Sequence, residues 1–246
     1  MTKVSCLMVT QESRSELVAG AVESFCRQTH EPRELVIVHC GSPRYTERLR
    51  ALVVGQDATL VSVPETATLG AARNLSIKHA AGDVLCQWDD DDIYHPDRSR
   101  DQLAAMQSSG ADAAYLNEQY YLFRAAGELY VRRADKIHGT AMFRNGVDCR
   151  YPEEGPRASK GEDSAFLEYL HRKYQVVGIS GSPELYLRVF HGGNTWQLAH
   201  HRNQVRDVET AAVLRARRKQ IEYDAKRFNV SGVTMMGRDG PAFAIE

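Results

Sequence analysis

The feature that most restricts this chain is a rhythm in its first ninety residues. Four short apolar runs, "VSCLMVT" (4–10), "ELVIVHC" (34–40), "ATLVSV" (58–63) and "DVLCQW" (83–88), alternate with segments of helical spacing. Short apolar runs rich in β-branched residues read as buried strands. After the first run, Leu17, Ala21 and Phe25, with Val18 and Val22, predict a helix, and Ser13 with Glu16 fits a capping box at its start. Ser42 and Pro43 make an N-cap and first turn for a second helix, with Tyr45, Leu49 and Leu52 as its apolar stripe. "TLGAARNLSIKHAA" (68–81) predicts a third helix, with Gly82 as its C-cap. Pro96 opens a fourth, with Leu103 and Met106 inward.

Such alternation predicts an α/β fold: a mixed, mainly parallel central sheet flanked by helices. Ligands bind such sheets at the carboxyl ends of the strands. Thr10, His39 and the run Asp89–Asp90–Asp91–Asp92 all lie at those ends, so one crevice is expected to collect them.

The pattern changes after Gly110. "AAYLNEQYYLF" (113–123) and "ELYVRR" (128–133) flank "RAAG" and predict a hairpin, and "IHGTAMF" (137–143) predicts another strand. "YPEEGPRASKGED" (151–163), rich in Gly, Pro and charge, reads as a mobile loop before a helix bearing Phe166 and Leu170. "YQVVGIS" and "ELYLRVF" close the sheet region. From there a catalytic-size domain over 1–199 and a C-terminal extension over 200–246 are expected, the latter a polar helical tail with its last 17 residues irregular.

Charge and cysteine content exclude several classes. The formal net charge of -1 supplies no global field toward nucleic acid. Five widely spaced cysteines without a CxxC pair read as reduced, buried thiols. No run approaches the roughly 18–20 apolar residues of a membrane span, and "MTKVSCLMVT" lacks a leader-like segment. A cytoplasmic protein is expected. The segment 201–229 carries eight Lys/Arg against four Asp/Glu, with Val205, Val208 and Ala212 on one helix face. It reads as a surface helix packed on the domain; the alternative is peripheral contact with anionic lipid at the inner face of the membrane.

Four adjacent aspartates repel one another, so the run at 89–92 asks for a cation. Carboxylates at a strand end form a hard-oxygen site, suited to Mn²⁺ or Mg²⁺ shared with substrate phosphates. Extended backbone points Asp89 and Asp91 the same way, leaving Asp90 and Asp92 to hold the turn. The plain alternative is a solvated acidic cap. Arg73, in "GAARN", is placed on the helix that feeds this strand, as a phosphate clamp or as an ordinary surface arginine. Glu162 and Asp163, in "GEDSAF", stand where a loop meets a helix, as a cap or as a general base.

Taken together, "VSCLMVT", "ELVIVHCGS", "LGAARNLSIKHAAGDVLCQWDDDDIYHP", "HGTAMFRN" and "GEDSAF" resemble, in order and spacing, the family 2 glycosyltransferases, inverting enzymes of the GT-A fold. The resemblance spans residues 3 to about 195. It implies a nucleotide-sugar donor, UDP-linked by family habit, and a glycan or lipid-linked acceptor, in cell-surface polysaccharide synthesis. It makes Asp89 and Asp91 the metal-binding DxD pair and Asp163 the base, with Glu162 orienting or binding acceptor. It implies a late histidine, here His191, as a third metal ligand, against the alternative of a structural loop residue. Donor contacts are implied for Asp90 and Arg73, and Gly139 and Thr140 stand where the family lines the sugar pocket.

The chain departs from the family at the nucleobase end. Thr10-Gln11-Glu12 replaces the frequent Thr-Tyr-Asn, and His39-Cys40 replaces an acidic pair. Thr10, Glu12 and His39 are nevertheless the expected contacts there, His39 through a hydrogen bond to a base edge. Two rival functions remain: a sugar nucleotidyltransferase, disfavoured because "QESRSE" has no glycine to grip a triphosphate, and a non-catalytic nucleotide- or glycan-binding module.

Overall fold

The computed structural model describes all 246 residues. Strands β1 (Val4–Gln11), β2 (Arg33–Cys40), β3 (Ala58–Ser62) and β4 (Val84–Gln87) alternate with helices α1 (Val18–Cys26), α2 (Pro43–Leu52) and α3 (Leu69–His79). There follow β5 (Ile93–Tyr94), α4 (Arg98–Ser108), β6 (Ala113–Leu116), β7 (Glu118–Phe123), β8 (Glu128–Arg133), β9 (Met142–Arg144), α5 (Glu162–Lys173), β10 (Val176–Ile179) and β11 (Tyr186–Phe190). The chain ends in α6 (Leu198–Asn203), α7 (Ala211–Ala216), α8 (Arg218–Arg227), β12 (Val233–Gly237) and β13 (Gly240–Ile245).

Seven strands form the central sheet in the order β10-β6-β9-β4-β1-β2-β3. All its pairs are parallel except those of β9, which runs antiparallel to β4 and β6. Its parallel strands are apolar on both sides because helices cover both faces. One face buries Val4, Cys6, Met8, Leu35 and Ile37 against α1 and α2, and the other buries Leu7, Val36, Leu85 and Phe143 against α3 and α5.

The helix starts and ends separate good local signals from poor ones. Ser42 caps α2, accepting from the Tyr45 amide at 3.3 Å, with Pro43 in the first turn. Thr68 likewise caps α3. The capping box expected at Ser13 does not form. Glu12–Arg14 make a 3₁₀ turn, and α1 starts at Val18 without a side-chain cap. Gly82 is not a C-cap either; a Cβ there would stand 2.5 Å from Ser5 Oγ, so its role is close packing on β1.

A second, six-stranded sheet has the order β13-β12-β8-β7-β11-β5. The single strand expected over 113–123 breaks at Asn117, giving β6 to the first sheet and β7 to the second. The expectation of an irregular last 17 residues is wrong: β12 and β13 form a hairpin that extends this sheet through β8. Tyr120, Leu122, Val131 and Val189 share one core with Leu214, Ile221, Phe228, Met235 and Phe243. The C-terminal hairpin is thus part of the second sheet, and α7 and α8 pack on it.

The segment 201–229 is several short helices, not one. Val205 and Val208 are buried, but Ala212 is exposed, and Ala211 and Leu214 turn inward instead. The apolar side of the segment faces protein. No helix is long and apolar enough to cross a membrane.

Candidate active site

The parallel pairing of β1 with β2 and β4 sets three strand exits side by side. A cleft of about 320 Å³ opens there, lined by Thr10, Gln11 and Arg14 from the first exit and by Asp89, Asp90 and Asp91 from the fourth. Glu162, Asp163, Arg188 and Asn194 complete its other wall.

The aspartate turn is held from below. The Asp89 amide donates to Tyr94 Oη at 2.6 Å, and that hydroxyl donates back to the Asp89 carbonyl at 3.1 Å. Tyr94 stacks on Tyr186 at 5.4 Å, and the buried Arg98 lies over the Tyr94 ring at 4.5 Å. Asp92 is buried; it accepts from the Val189 amide at 2.8 Å and from the Tyr186 hydroxyl, fastening the turn to β11. Burial and neighbouring Asp91 push its carboxyl well above the usual range.

The remaining three aspartates meet cations. Arg14 Nη1 donates to Asp90 Oδ1 at 2.8 Å and to Asp91 Oδ2 at 3.0 Å. Asp90 is buried, its Oδ2 has no partner, and burial plus the charge of Asp91 raise it to about 6. Burial also acts upward on Asp91, but hydrogen bonding from His191 and the charge of Arg14 outweigh it and hold Asp91 below the usual value. His191 Nε2 lies 3.3 Å from Asp91 Oδ2, and Asn194 Nδ2 reaches the same oxygen at 3.3 Å.

Asp89 Oδ1 accepts from Arg73 Nη2 at 3.1 Å, while Arg73 Nε donates to Glu162 Oε1 at 3.1 Å. Arg73 is therefore a bridge between the aspartate turn and the start of α5. Burial lowers its affinity for a proton, but Asp89 and Glu162 more than reverse this, so it stays charged. Glu162 is buried, and burial raises its carboxyl despite Arg73. Its neighbour Asp163 is half-exposed on the cleft wall, with Oδ1 accepting from the Ser164 amide at 2.7 Å. The adjacent acids are thus sorted, one tied inward and one facing the cleft.

The "GAARN" segment does more than carry Arg73. Gly70 donates its amide to Ala158 at 2.7 Å, and Asn74 exchanges two 2.9 Å bonds with the backbone of Tyr151. A Cβ at Gly70 would collide with the Pro152 carbonyl at 1.8 Å. The 151–161 segment, expected to be mobile, is pinned to α3 at these points. Lys160 at its end sits 4.1 Å over Trp196, joining it to the loop after β11.

Several expected contacts fall elsewhere. His39 is 1% exposed and packs edge-on against Tyr45 beneath the cleft, where Cys40 lines the wall instead. Burial, then Arg50, lowers its pKa. Glu12 turns away to hold Ser42, accepting from its amide at 2.7 Å and its hydroxyl at 2.8 Å. Thr10 lines the cleft with its hydroxyl 2.8 Å from Tyr45 Oη. Thr140 is fully buried, donating to the Ile137 carbonyl at 2.6 Å and accepting from the Leu116 amide at 2.9 Å; it organises backbone. Gly139 lies against the acidic turn, since a Cβ there would stand 2.9 Å from Asp89 Oδ2.

Sequence reasoning missed Arg14, Arg188, Asn194 and Trp196. Arg14 had a usable signal, being a cation just after β1, the strand that the fold sets beside β4. No three His, Cys, Asp or Glu side chains converge as a ready metal cage. The donor chemistry still fits a hard divalent ion: Asp91 and His191 are adjacent, Asp91 Oδ1 is free of hydrogen bonds, and Asp90 Oδ2 is an orphaned buried acceptor. A cation shared with substrate phosphates needs only one or two protein carboxylates.

The family model described as "Glycosyl transferase family 2" matches residues 5–145. The uncharacterized glycosyltransferase YwdF of Bacillus subtilis (strain 168) is 31% identical over 94 residues, 38% of this chain and 34% of that protein. The alignment thus spans about a third of that relative's length. Among solved structures, S. aureus TarS 1-349 in complex with UDP-GlcNAc superposes with TM-score 0.60 at 13% identity, covering 89% of this chain and 66% of that one. The mannosyltransferase PcManGT from Pyrobaculum calidifontis, in complex with GDP-Man and Mn2+, superposes with TM-score 0.55 at 12% identity, over 93% and 65%. At such identities the structures show a shared fold, the GT-A arrangement.

Proposed function

Because the chain belongs to glycosyl transferase family 2, we propose that it moves a sugar, with inversion, from a nucleotide diphosphate sugar to an acceptor hydroxyl. One observation carries the reading most. Arg73 ties Asp89 to Glu162, so the aspartate turn and Asp163 are held on one cleft. The structural likeness to proteins holding UDP-GlcNAc and GDP-Man supports a nucleotide-sugar donor. UDP is our choice of carrier, and a glycan or lipid-linked molecule our choice of acceptor.

Asp89, Asp91 and His191 would hold Mn²⁺ or Mg²⁺. Such an ion, when bound, offsets negative charge on a leaving diphosphate. Asp163 accepts the proton of the acceptor hydroxyl, and that oxygen forms the new bond at the anomeric carbon as the bond to the diphosphate oxygen breaks. Glu162, tied to Arg73, keeps the first turn of α5 and hence Asp163 in place. Arg73 acts here as an organiser of carboxylates, since two of its nitrogens are already engaged. Cys40, Val63 and Pro64 line the cleft at the exits of β2 and β3, where the base would lie.

The test is Asp163→Asn, assayed against a panel of nucleotide sugars. Transfer should fall about 10²–10⁴-fold while UDP affinity stays within about twofold. Wild-type transfer by the variant would remove Asp163 as the base.

A further inference from the structure

The second sheet contributes two arginines that form no ion pair within the protein. Arg132 on β8 pairs with Gln119 of β7, and Arg188 on β11 pairs with Tyr121 of the same strand. Residues paired across strands share a face. Tyr120, Leu122, Val131 and Val189 point to the core beneath the C-terminal helices, so alternation sends Arg132 and Arg188 to the opposite face. Arg188 lines the cleft.

Neither guanidinium makes a side-chain hydrogen bond or an ion pair. Burial acts against the charge of Arg188, but Tyr186, Tyr121, Asp92 and Asp89 more than reverse it at a distance, and the guanidinium lies 6.0 Å over the Tyr121 ring. Arg132 Nε is buried without a partner, and Gln119, fully buried beside it, has both amide atoms unpartnered. The nearby acids are already engaged: Asp92 by Tyr186 and Val189, and Asp91 by Arg14, His191 and Asn194. Burial and the like charge of Arg188 bring Arg132 down to about 10, so the two cations oppose each other. Both arginines are half-buried, and a cation with an orphaned buried donor, as in Arg132, is stabilised when an anion joins it.

Arg188 lines the same cleft as the proposed base, Asp163, and Arg132 shares its sheet face. A molecule in this cleft whose hydroxyl reaches Asp163 shares the space with Arg188. We infer that Arg132 and Arg188 form an oxyanion subsite for the acceptor, which carries a phosphate or carboxylate close to the hydroxyl that is glycosylated. This rests on the transferase reading above. Guanidinium groups suit either oxyanion through paired N–H donors.

The experiment uses the full chain saturated with UDP and Mn²⁺, titrated calorimetrically with glycerol 3-phosphate and, separately, with glucuronate. At least one probe should bind the UDP-loaded protein, and which one binds names the anion. R132Q/R188Q should weaken that binding at least tenfold and keep UDP affinity within twofold, while R132K/R188K should recover part of the loss. Circular dichroism of each variant confirms folding. Equal probe affinity in wild type and R132Q/R188Q would overturn the subsite. Displacement of the probe by UDP would overturn it too, assigning the arginines to the donor diphosphate. Should UDP fail to bind wild type while probe binding still needs both arginines, the transferase reading falls and the oxyanion subsite stands.

Discussion

The two sheets treat their site arginines in opposite ways. Along the first sheet each is matched: Arg14 spans Asp90 and Asp91, and Arg73 spans Asp89 and Glu162. Along the second, Arg132 and Arg188 are half-buried and form no ion pair, and Arg188 feels Asp92 and Asp89 only at a distance. Matched charges preorganise a site, because the protein itself fixes where each carboxylate points. Unmatched charges are a cost of folding that a ligand can offset. On the function proposed above, the donor half is built in advance and the acceptor half is left wanting an anion.

The comparison breaks most visibly at Arg73. Arg73→Ala strands two acids, one of them buried, and should cost about 3–5 kcal/mol, read by urea unfolding. A loss under 1 kcal/mol would show that the bridge organises nothing. Next comes Asp90, whose carboxyl stands near 6 in the fold because of burial and Asp91. Its unfolded value is close to 3.9, so the folded state binds the extra proton between the two. Stability of metal-free protein should therefore fall as pH rises from about 4 to about 6. Asp90→Asn should remove a slope amounting to about 2–3 kcal/mol; an unchanged slope would mean Arg14 already neutralises Asp90. The smallest effect should be at Arg188. Arg188→Met breaks no ion pair and should change stability by less than about 1 kcal/mol, or raise it. A large loss would reveal a partner for the guanidinium and end the contrast between the sheets.

What the sequence disclosed follows the same division. The first sheet is legible because its strands are apolar throughout and its helices carry local caps such as Ser42 and Pro43. The aspartate turn is legible because four adjacent charges have no folding rationale of their own. The second sheet is built from long-range pairing. Nothing local splits 113–123 at Asn117 between two sheets, and "VTMMGRDGPAFAI" hides a hairpin behind its glycines and proline. Residue type also fails to show which way a side chain turns. His39 and Thr140 fit a binding role by position, yet both point into the core. Arg132 and Arg188 stand out only once burial and the lack of partners are visible.

On the function proposed above, the aspartate turn is a donor site that works with a divalent cation. Calorimetric titration of UDP, with and without Mn²⁺, into wild type and Asp91→Ala tests it most directly. Wild type should bind UDP in a Mn²⁺-dependent way, with affinity at least tenfold lower in the variant. Equal UDP affinity in both proteins, with or without Mn²⁺, would contradict it.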